Sequence, residues 1–598
     1  MILPIILIFL AYGFWISPDF KEISAGVAIF LFGMFSLEQG FNAFTGGTLE
    51  TILRKSTNRM WKSLSFGFVT CTVMQSSSLV SVITISFLSA GLIGLVEGIG
   101  IVFGANVGTT TGAWLIAGFG LKVHIASYAM PMLAFGVILI FQKSKSLKGL
   151  GYILSGLGFL FLGIHYMKEG FEAVQQQINL TDYAMTGFIG VLVFTLIGIL
   201  ATIIMQSSHA TLVLVITALS VHQISYENAL ALVIGANVGT TISAVMGSMT
   251  SNVSGRRLAL ADVIFKVTAG IFFIILINQI TDFVDIISAS LGIADDNYTL
   301  KLAVFHTIFN VAGVIIMIPM IDHLVRLVSK VLPERKVSVA EPMYLNESAF
   351  ELPDTAIIAV RKEAIHLYNN AFAIIAHGLS LHRHDILSEK DLESVTTIDN
   401  KIIAIDIDEQ YEKNIKDLYS EIIIFISKAK IVMMPEQTEE LFLLRTACRD
   451  IVEAIKDTKH LHKNMSKYII SDNEHIRAEY NRIRVYLGSV LRQISLVQND
   501  DDPIAILSLD NIKLNMAEND ITANGMLEVL IHEERISAQM ATSLMNDSAY
   551  VYDVTKNLVQ MGEILFATGD QSMKDVERAI ALDKDEVNNI MQMEEDKV

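Results

Sequence analysis

Residues 74–77 read MQSS and so do residues 205–208; residues 104–110 read GANVGTT and so do residues 235–241. Both pairs stand 131 residues apart. Laid over each other without a gap, 74–110 and 205–241 agree at 17 of 37 positions, where chance among apolar segments gives about three or four. A weaker echo lies upstream, FGMFSLEQGFNAF at 32–44 against LGIHYMKEGFEAV at 162–174. The chain therefore contains an internal duplication, and the duplicated unit carries polar clusters inside apolar stretches. Gln75, Ser76, Ser77 and Ser78 are consecutive, so they cannot share one helix face. Each unpaired polar group in hydrocarbon costs several kcal/mol. Such a stretch is tolerated at membrane depth where it is buried in protein or lines a cavity.

Charge divides the chain. Residues 1–330 hold 16 Lys/Arg and 15 Asp/Glu, whereas 331–598 hold 28 and 47, so the net charge of −18 resides almost wholly in the second part. The first part reads as membrane-embedded and the second as a soluble acidic domain, which disfavours nucleic acid as a partner. Cys71 and Cys448 lie in different parts, which excludes a disulfide framework; Cys71 reads as a small apolar residue. The first residues, MILPIILIFLAYGFWIS, lack a basic n-region and a small-residue cleavage site and read as a first spanning helix. No P-loop, nucleophile elbow or HExxH is present, and no enzymatic activity is expected.

Basic clusters at Arg54, Lys55, Arg59 and Lys62, at Lys143, Lys145 and Lys148, at Arg256 and Arg257, and at Arg326, Lys330, Arg335 and Lys336 all fall on the cytoplasmic side by the positive-inside rule. They occupy non-equivalent points of the two copies, as inverted repeats require. The expected architecture is all-α: a polytopic membrane domain over 1–330 with repeats at about 23–148 and 153–280, a link over 331–352, and a helical domain over 353–598. Full crossings are expected near 1–18, 23–45, 79–96, 123–142, 149–168, 208–224, 259–280 and 302–329, with both termini cytoplasmic. Re-entrant or broken pieces are expected near 66–78, 98–120, 190–207 and 228–250, with Gly104, Gly108, Gly235 and Gly239 as the breaking residues.

The repeats would bring their polar clusters to one midplane site. The candidate residues are Gln75, Ser76, Ser77, Ser78, Asn106, Thr109 and Thr110 from one copy, and Gln206, Ser207, Ser208, Thr211, Asn237, Thr240 and Thr241 from the other. Hydroxyl, amide and backbone carbonyl oxygens suit sodium, and serine hydroxyls with backbone N–H groups at helix N-termini suit an oxyanion. No Lys or Arg lies within these motifs, so a multiply charged anion needs co-bound cations. Duplication at one offset argues against Ser and Thr serving helix packing alone. His209 reads as a packed histidine, and Asp262 with Lys266, four residues on, as a private ion pair.

These motifs, with LAVFHTIFNVAG at 302–313, resemble the type II sodium–phosphate cotransporter family over roughly residues 20–325. The resemblance implies that the QSS segments are re-entrant elements binding phosphate and Na+ as coupling ion, and brings in Asn310 beside His306. LALADVIFKVTAG at 258–270 is similar to the family's other His…Phe-Asn helix but carries Asp262 and Lys266. The implied protein is a multi-pass carrier in the cell inner (plasma) membrane, expected as a homo-oligomer such as a dimer. A phosphate receptor without net transport, and a carrier or exporter of another oxyanion, stay open as alternatives.

From 353 onward, apolar residues recur at helical spacing over 371–386, 395–429, 438–465, 474–498 and 524–569; Pro435 and NDDDP at 499–503 are expected to break them. This part resembles the PhoU family of phosphate-signalling helical proteins. By that resemblance Glu453 and Asp457 match an E-x-x-x-D motif for a divalent metal, although an exposed acidic face explains them as well.

Overall fold

The computed structural model describes residues 11–45, 59–120, 125–177, 184–333, 340–351, 353–388, 390–398, 401–430, 433, 435–499, 506–518, 521 and 525–566. Residues 1–10 of the first expected span, Arg54, Lys55, Arg335, Lys336 and the NDDDP stretch beyond Asn499 lie outside them. The chain forms two compact units, Met1–Glu334 with Asn346–Asp354, and Arg335–Leu345 with Thr355–Val598. Among the described residues both are helical, without strands.

In the first unit α1 spans Pro18–Thr45, α2 Met60–Met74, α3 Ser77–Ser89, α4 Leu95–Gly108 and α5 Thr110–Leu115. After α6, Ile125–Ile140, come α7, Lys145–Gln177, α8, Gly187–Met205, α9, Ser208–Ser220, α10, Tyr226–Gly239, and α11, Thr241–Met249. The ends of α2, α3 and α4 and the starts of α3, α4 and α5 recur in α8 to α11 at the same 131-residue offset. Helices α12, Val253–Ile275, α13, Ile277–Ser290, α14, Tyr298–Met317, and α15, Ile321–Val331, complete the unit.

Glycines fix how these helices run. A Cβ on Gly26, Gly33 or Gly40 of α1 would come within 2.9 Å of the carbonyls of Gly163, Gly156 and Gly149 of α7. One series rises as the other falls, so α1 and α7, which share the upstream echo, lie antiparallel with their backbones in contact. In α4, a Cβ on Gly104 would collide with Leu64 O and one on Gly108 would lie 2.7 Å from Phe68 O. In α10, a Cβ on Gly235 would collide with Thr195 O and one on Gly239 would lie 2.8 Å from Ile199 O. Here both numbers rise together, so α2 runs parallel to α4, and α8 to α10. The chain must double back between them. It does so through α3 and α9, which makes α2–α3 and α8–α9 helical hairpins with Gln75–Ser76 and Gln206–Ser207 at their tips.

The expected membrane path changes accordingly. At 13 residues, α3 and α9 are about 20 Å long, short of the roughly 30 Å of hydrocarbon; they are hairpin arms, not full crossings. Leu95–Gly118 and Tyr226–Met249, expected as broken pieces, are 24-residue helical stretches long enough to cross, and Gly187–Met205 also qualifies. The motif glycines permit close approach; α4 and α10 end at Gly108 and Gly239, but Thr109 and Thr240 keep the right-handed conformation, so the chain runs on into α5 and α11. By length and composition seven helices qualify as spans among the described residues.

In the second unit α16 spans Pro353–Gly378, α17 Asp417–Ala429, α18 Pro435–Tyr468, α19 Glu474–Asn499, α20 Ile506–Glu518 and α21 Ala538–Phe566. Pro435 stands at the break between α17 and α18, where it opens α18, because the first helical position needs no N–H partner. The expected 395–429 helix is interrupted, with 401–406 non-helical. Buried Glu363 accepts hydrogen bonds from Met343 N (3.0 Å) and Tyr344 N (2.7 Å) and pairs with His366 Nδ1 at 2.7 Å, which fastens the preceding strand of chain to α16.

Candidate functional site

The two QSS segments are helix junctions. Gln75 and Gln206 adopt the left-handed conformation, φ 52° and 53°, which closes α2 and α8. Gln75 N donates to Cys71 O at 2.7 Å. The next serine in each copy is extended and caps the following helix: Ser76 Oγ accepts from Leu79 N (3.2 Å) and Ser207 Oγ from Ala210 N (3.1 Å). The glutamine and the first serine of each segment are thus accounted for by one helix stopping and another starting there. Left-handed geometry at a non-glycine costs about 1–3 kcal/mol, and the chain bears it twice. The first N–H groups of α3 and α9 have no intrahelical partner, and the N-terminal dipole makes both tips receptive to negative charge.

The tips of the two copies meet at Gly112 on α5. A Cβ there would overlap Cε1 of His209 and lie 2.6 Å from Gln75 Oε1. Gln75 Nε2 donates to Thr72 O (2.5 Å) and Thr111 Oγ1 (3.2 Å), and its carbonyl oxygen, like the His209 ring, borders Gly112. The imidazole is buried and stacks on Phe30 of α1, centroids 6.1 Å apart. His209 does pack, as expected, but it packs into the site; its position as the counterpart of Ser78 was the signal. Gly112 and Thr111 carried no sequence signal.

The GANVGTT asparagines lead to α12 and α14, and these helices align position for position. Asp262, Phe265 and Lys266 in the first correspond to His306, Phe309 and Asn310 in the second. Asn106 Nδ2 donates to Asp262 Oδ1 at 3.2 Å, and Lys266 Nζ donates to Asp262 Oδ2 at 2.8 Å. Asn237 Oδ1 lies 3.4 Å from His306 Nε2, and Asn310 Nδ2 donates to His306 O at 2.9 Å. The private ion pair is present, yet it holds a candidate site residue. His306 also lies within electrostatic reach of His209.

The motif threonines bond back to their own helices, whereas Thr211 ties α9 to α8. Thr109, Thr110, Thr240 and Thr241 each donate to the carbonyl three residues earlier, at 2.6–2.8 Å, which leaves each an accepting lone pair. Thr211 Oγ1 shares a 2.8 Å hydrogen bond with Thr202 Oγ1. Ser77 is buried, Ser78 and Ser208 are half-buried, and Gln206, unlike Gln75, is exposed.

Residues 29–169 and 179–295 match the Na+/Pi-cotransporter family profile. Both matched segments lie within the first unit and include the two QSS and the two GANVGTT motifs. A protein of Escherichia coli (strain K12) named "Putative inorganic phosphate export protein YjbB" is 27% identical over 379 residues, covering 62% of this chain and 67% of that protein. Its namesake in Salmonella typhimurium (strain LT2) is 26% identical over 368 residues, 60% and 64% of the two chains. "Uncharacterized protein YqeW" of Bacillus subtilis (strain 168) is 27% identical over 323 residues, 52% of this chain and 98% of that one. No solved structure matches this chain.

In the second unit the expected metal pair, Glu453 and Asp457, joins no larger ligand group among the described residues. Among the described residues no group of three or more His, Cys, Asp or Glu side chains is placed to hold a metal. Glu453 pairs with Lys456 at 2.9 Å. Burial, then the nearby carboxylates of Asp553 and Glu453, push Asp457 up to about 6. Because the folded pKa exceeds the unfolded one, this group adds stability below pH 4 that is lost as pH rises through 6. Expressed alone, residues 340–598 should melt higher at pH 4.5 than at pH 7.5 by an amount that Asp457→Asn reduces; solvent screening keeps the effect below about 1 kcal/mol. Equal pH slopes in the two proteins, read by circular dichroism, would refute it.

Proposed function

We propose that this chain is a Na+-coupled carrier of inorganic phosphate. Its two repeats insert in opposite directions and present their hairpin tips to one site. The observation that carries the reading is the convergence at Gly112 of Gln75 from one motif copy and His209 from the other. The antiparallel α1–α7 pair supports the inversion. The tips supply N–H groups and hydroxyls for an oxyanion, and their amide and hydroxyl oxygens suit sodium. The relatives' names favour outward movement of phosphate. The second unit is read as a PhoU-like regulator. The short helix Glu347–Glu351, which packs on α3, offers a route from the link to one hairpin.

The test is phosphate flux in proteoliposomes under an inward or outward Na+ gradient, with arsenate and sulfate as competitors. Accumulation that follows the gradient is expected; binding without accumulation would make the protein a receptor and overturn the reading. Gln75→Leu keeps the approximate size and removes an amide contact worth about 1.5–3 kcal/mol, so phosphate affinity should fall roughly 10- to 150-fold. Met74→Leu should leave affinity unchanged. Equal affinity in the two variants would move the site away from the QSS segments.

A further inference from the structure

The two half-sites built on Asn106 and Asn237 differ in one respect. At the second, Asn237 meets His306, and His306 Nδ1 is buried without a hydrogen-bond partner. At the first, Asn106 meets a carboxylate already neutralised by an ammonium group. The Asp262 and Lys266 side chains are only 1% and 5% exposed and lie 2.8 Å apart. A buried pair of this kind seldom adds net stability over apolar residues of the same volume, whereas removal of one partner leaves a charge that must find another counterion. Since α12 and α14 align, Lys266 stands where the other helix has the neutral Asn310.

We propose that Lys266 is a built-in cation: its ammonium, held on Asp262 beside Asn106, permanently fills the place of a mobile alkali cation in the first half-site. The inference rests on the reading of the chain as a Na+-coupled carrier and deepens it. The ion pair is net neutral and is not transported, so each cycle moves one fewer Na+ than two open half-sites would. Lys266 is thereby a determinant of coupling stoichiometry. Its removal exposes Asp262, a hard oxygen ligand in a low-dielectric setting, to Na+.

The experiment compares purified full-length protein with Lys266→Ala and Asp262→Ala/Lys266→Ala. Melting temperature is followed in NaCl against choline chloride, and phosphate flux in proteoliposomes is followed against Na+ concentration. Lys266→Ala should show a Na+-dependent rise in melting temperature at least twice that of the unchanged protein, and a Hill coefficient for Na+ higher by about one. The double variant should show neither gain. If Lys266→Ala does not yield folded protein, Lys266→Gln, which removes the charge, keeps Asp262 and better preserves the volume, should show the same two gains. An unchanged Na+ response in whichever variant is folded, or a gain that persists in the double variant, overturns the proposal. The melting comparison needs no transport, so it decides the role of Lys266 even if the unchanged protein moves no phosphate and the carrier reading falls.

Discussion

Gly112→Ala should abolish coupled phosphate transport while leaving the protein folded. The added methyl would occupy the space of His209 Cε1 and press on Gln75 Oε1. Both are side-chain atoms, so the helices can stay in place while the tips are pushed apart. The imidazole has little freedom to retreat, because it is buried and stacked on Phe30. Misplacement of binding groups by about 1 Å costs on the order of 100-fold in rate. Flux should therefore fall by about two orders of magnitude, with a melting temperature within a few degrees of the unchanged protein. Near-normal flux would show that the two copies do not act at a shared site.

Gly104→Ala and Gly235→Ala should fail in the opposite way, by loss of the fold. In each case the methyl meets backbone, the carbonyls of Leu64 and Thr195, which cannot move without displacing α2 or α8. Overpacking of this kind costs about 3 kcal/mol or more. Each variant should show a strongly lowered melting temperature in detergent and poor recovery as a monodisperse species. A normal melting curve for both would mean that α2–α4 and α8–α10 are not in backbone contact.

The duplication could be read from the letters alone, and helix ends fall at the same 131-residue offset in α2 to α5 and α8 to α11. The role of QSS as a junction was partly legible, since Gln, Ser and Ser cannot share a face. The hairpins were not. Hydropathy counted 79–96 and 208–224 as crossings because it cannot register that glycines draw α2 against α4 in parallel, which forces α3 to run back. The tie between Asn106 and Asp262 spans 156 residues and lies beyond any local pattern. His209 was set apart as packing because a lone histidine on an apolar helix usually is. Its neighbour Gly112 comes from a different motif, and contact between them exists only in three dimensions. In the acidic unit the amphipathic period located α17, α18 and α19, while the non-helical 401–406 lay hidden inside a continuous apolar rhythm.

The left-handed glutamines bear on how this protein would respond to laboratory selection. Glycine adopts φ near +52° freely, whereas an L-residue there loses roughly 1–2 kcal/mol. A screen for heat-resistant variants would therefore favour glycine at 75 and 206. At 75 each such winner would give up the amide that borders Gly112, so the most durable proteins recovered would be the least active. Enrichment of glycine at both positions under heat, and its depletion under a demand for phosphate movement, would measure how much durability the chain forgoes for its work.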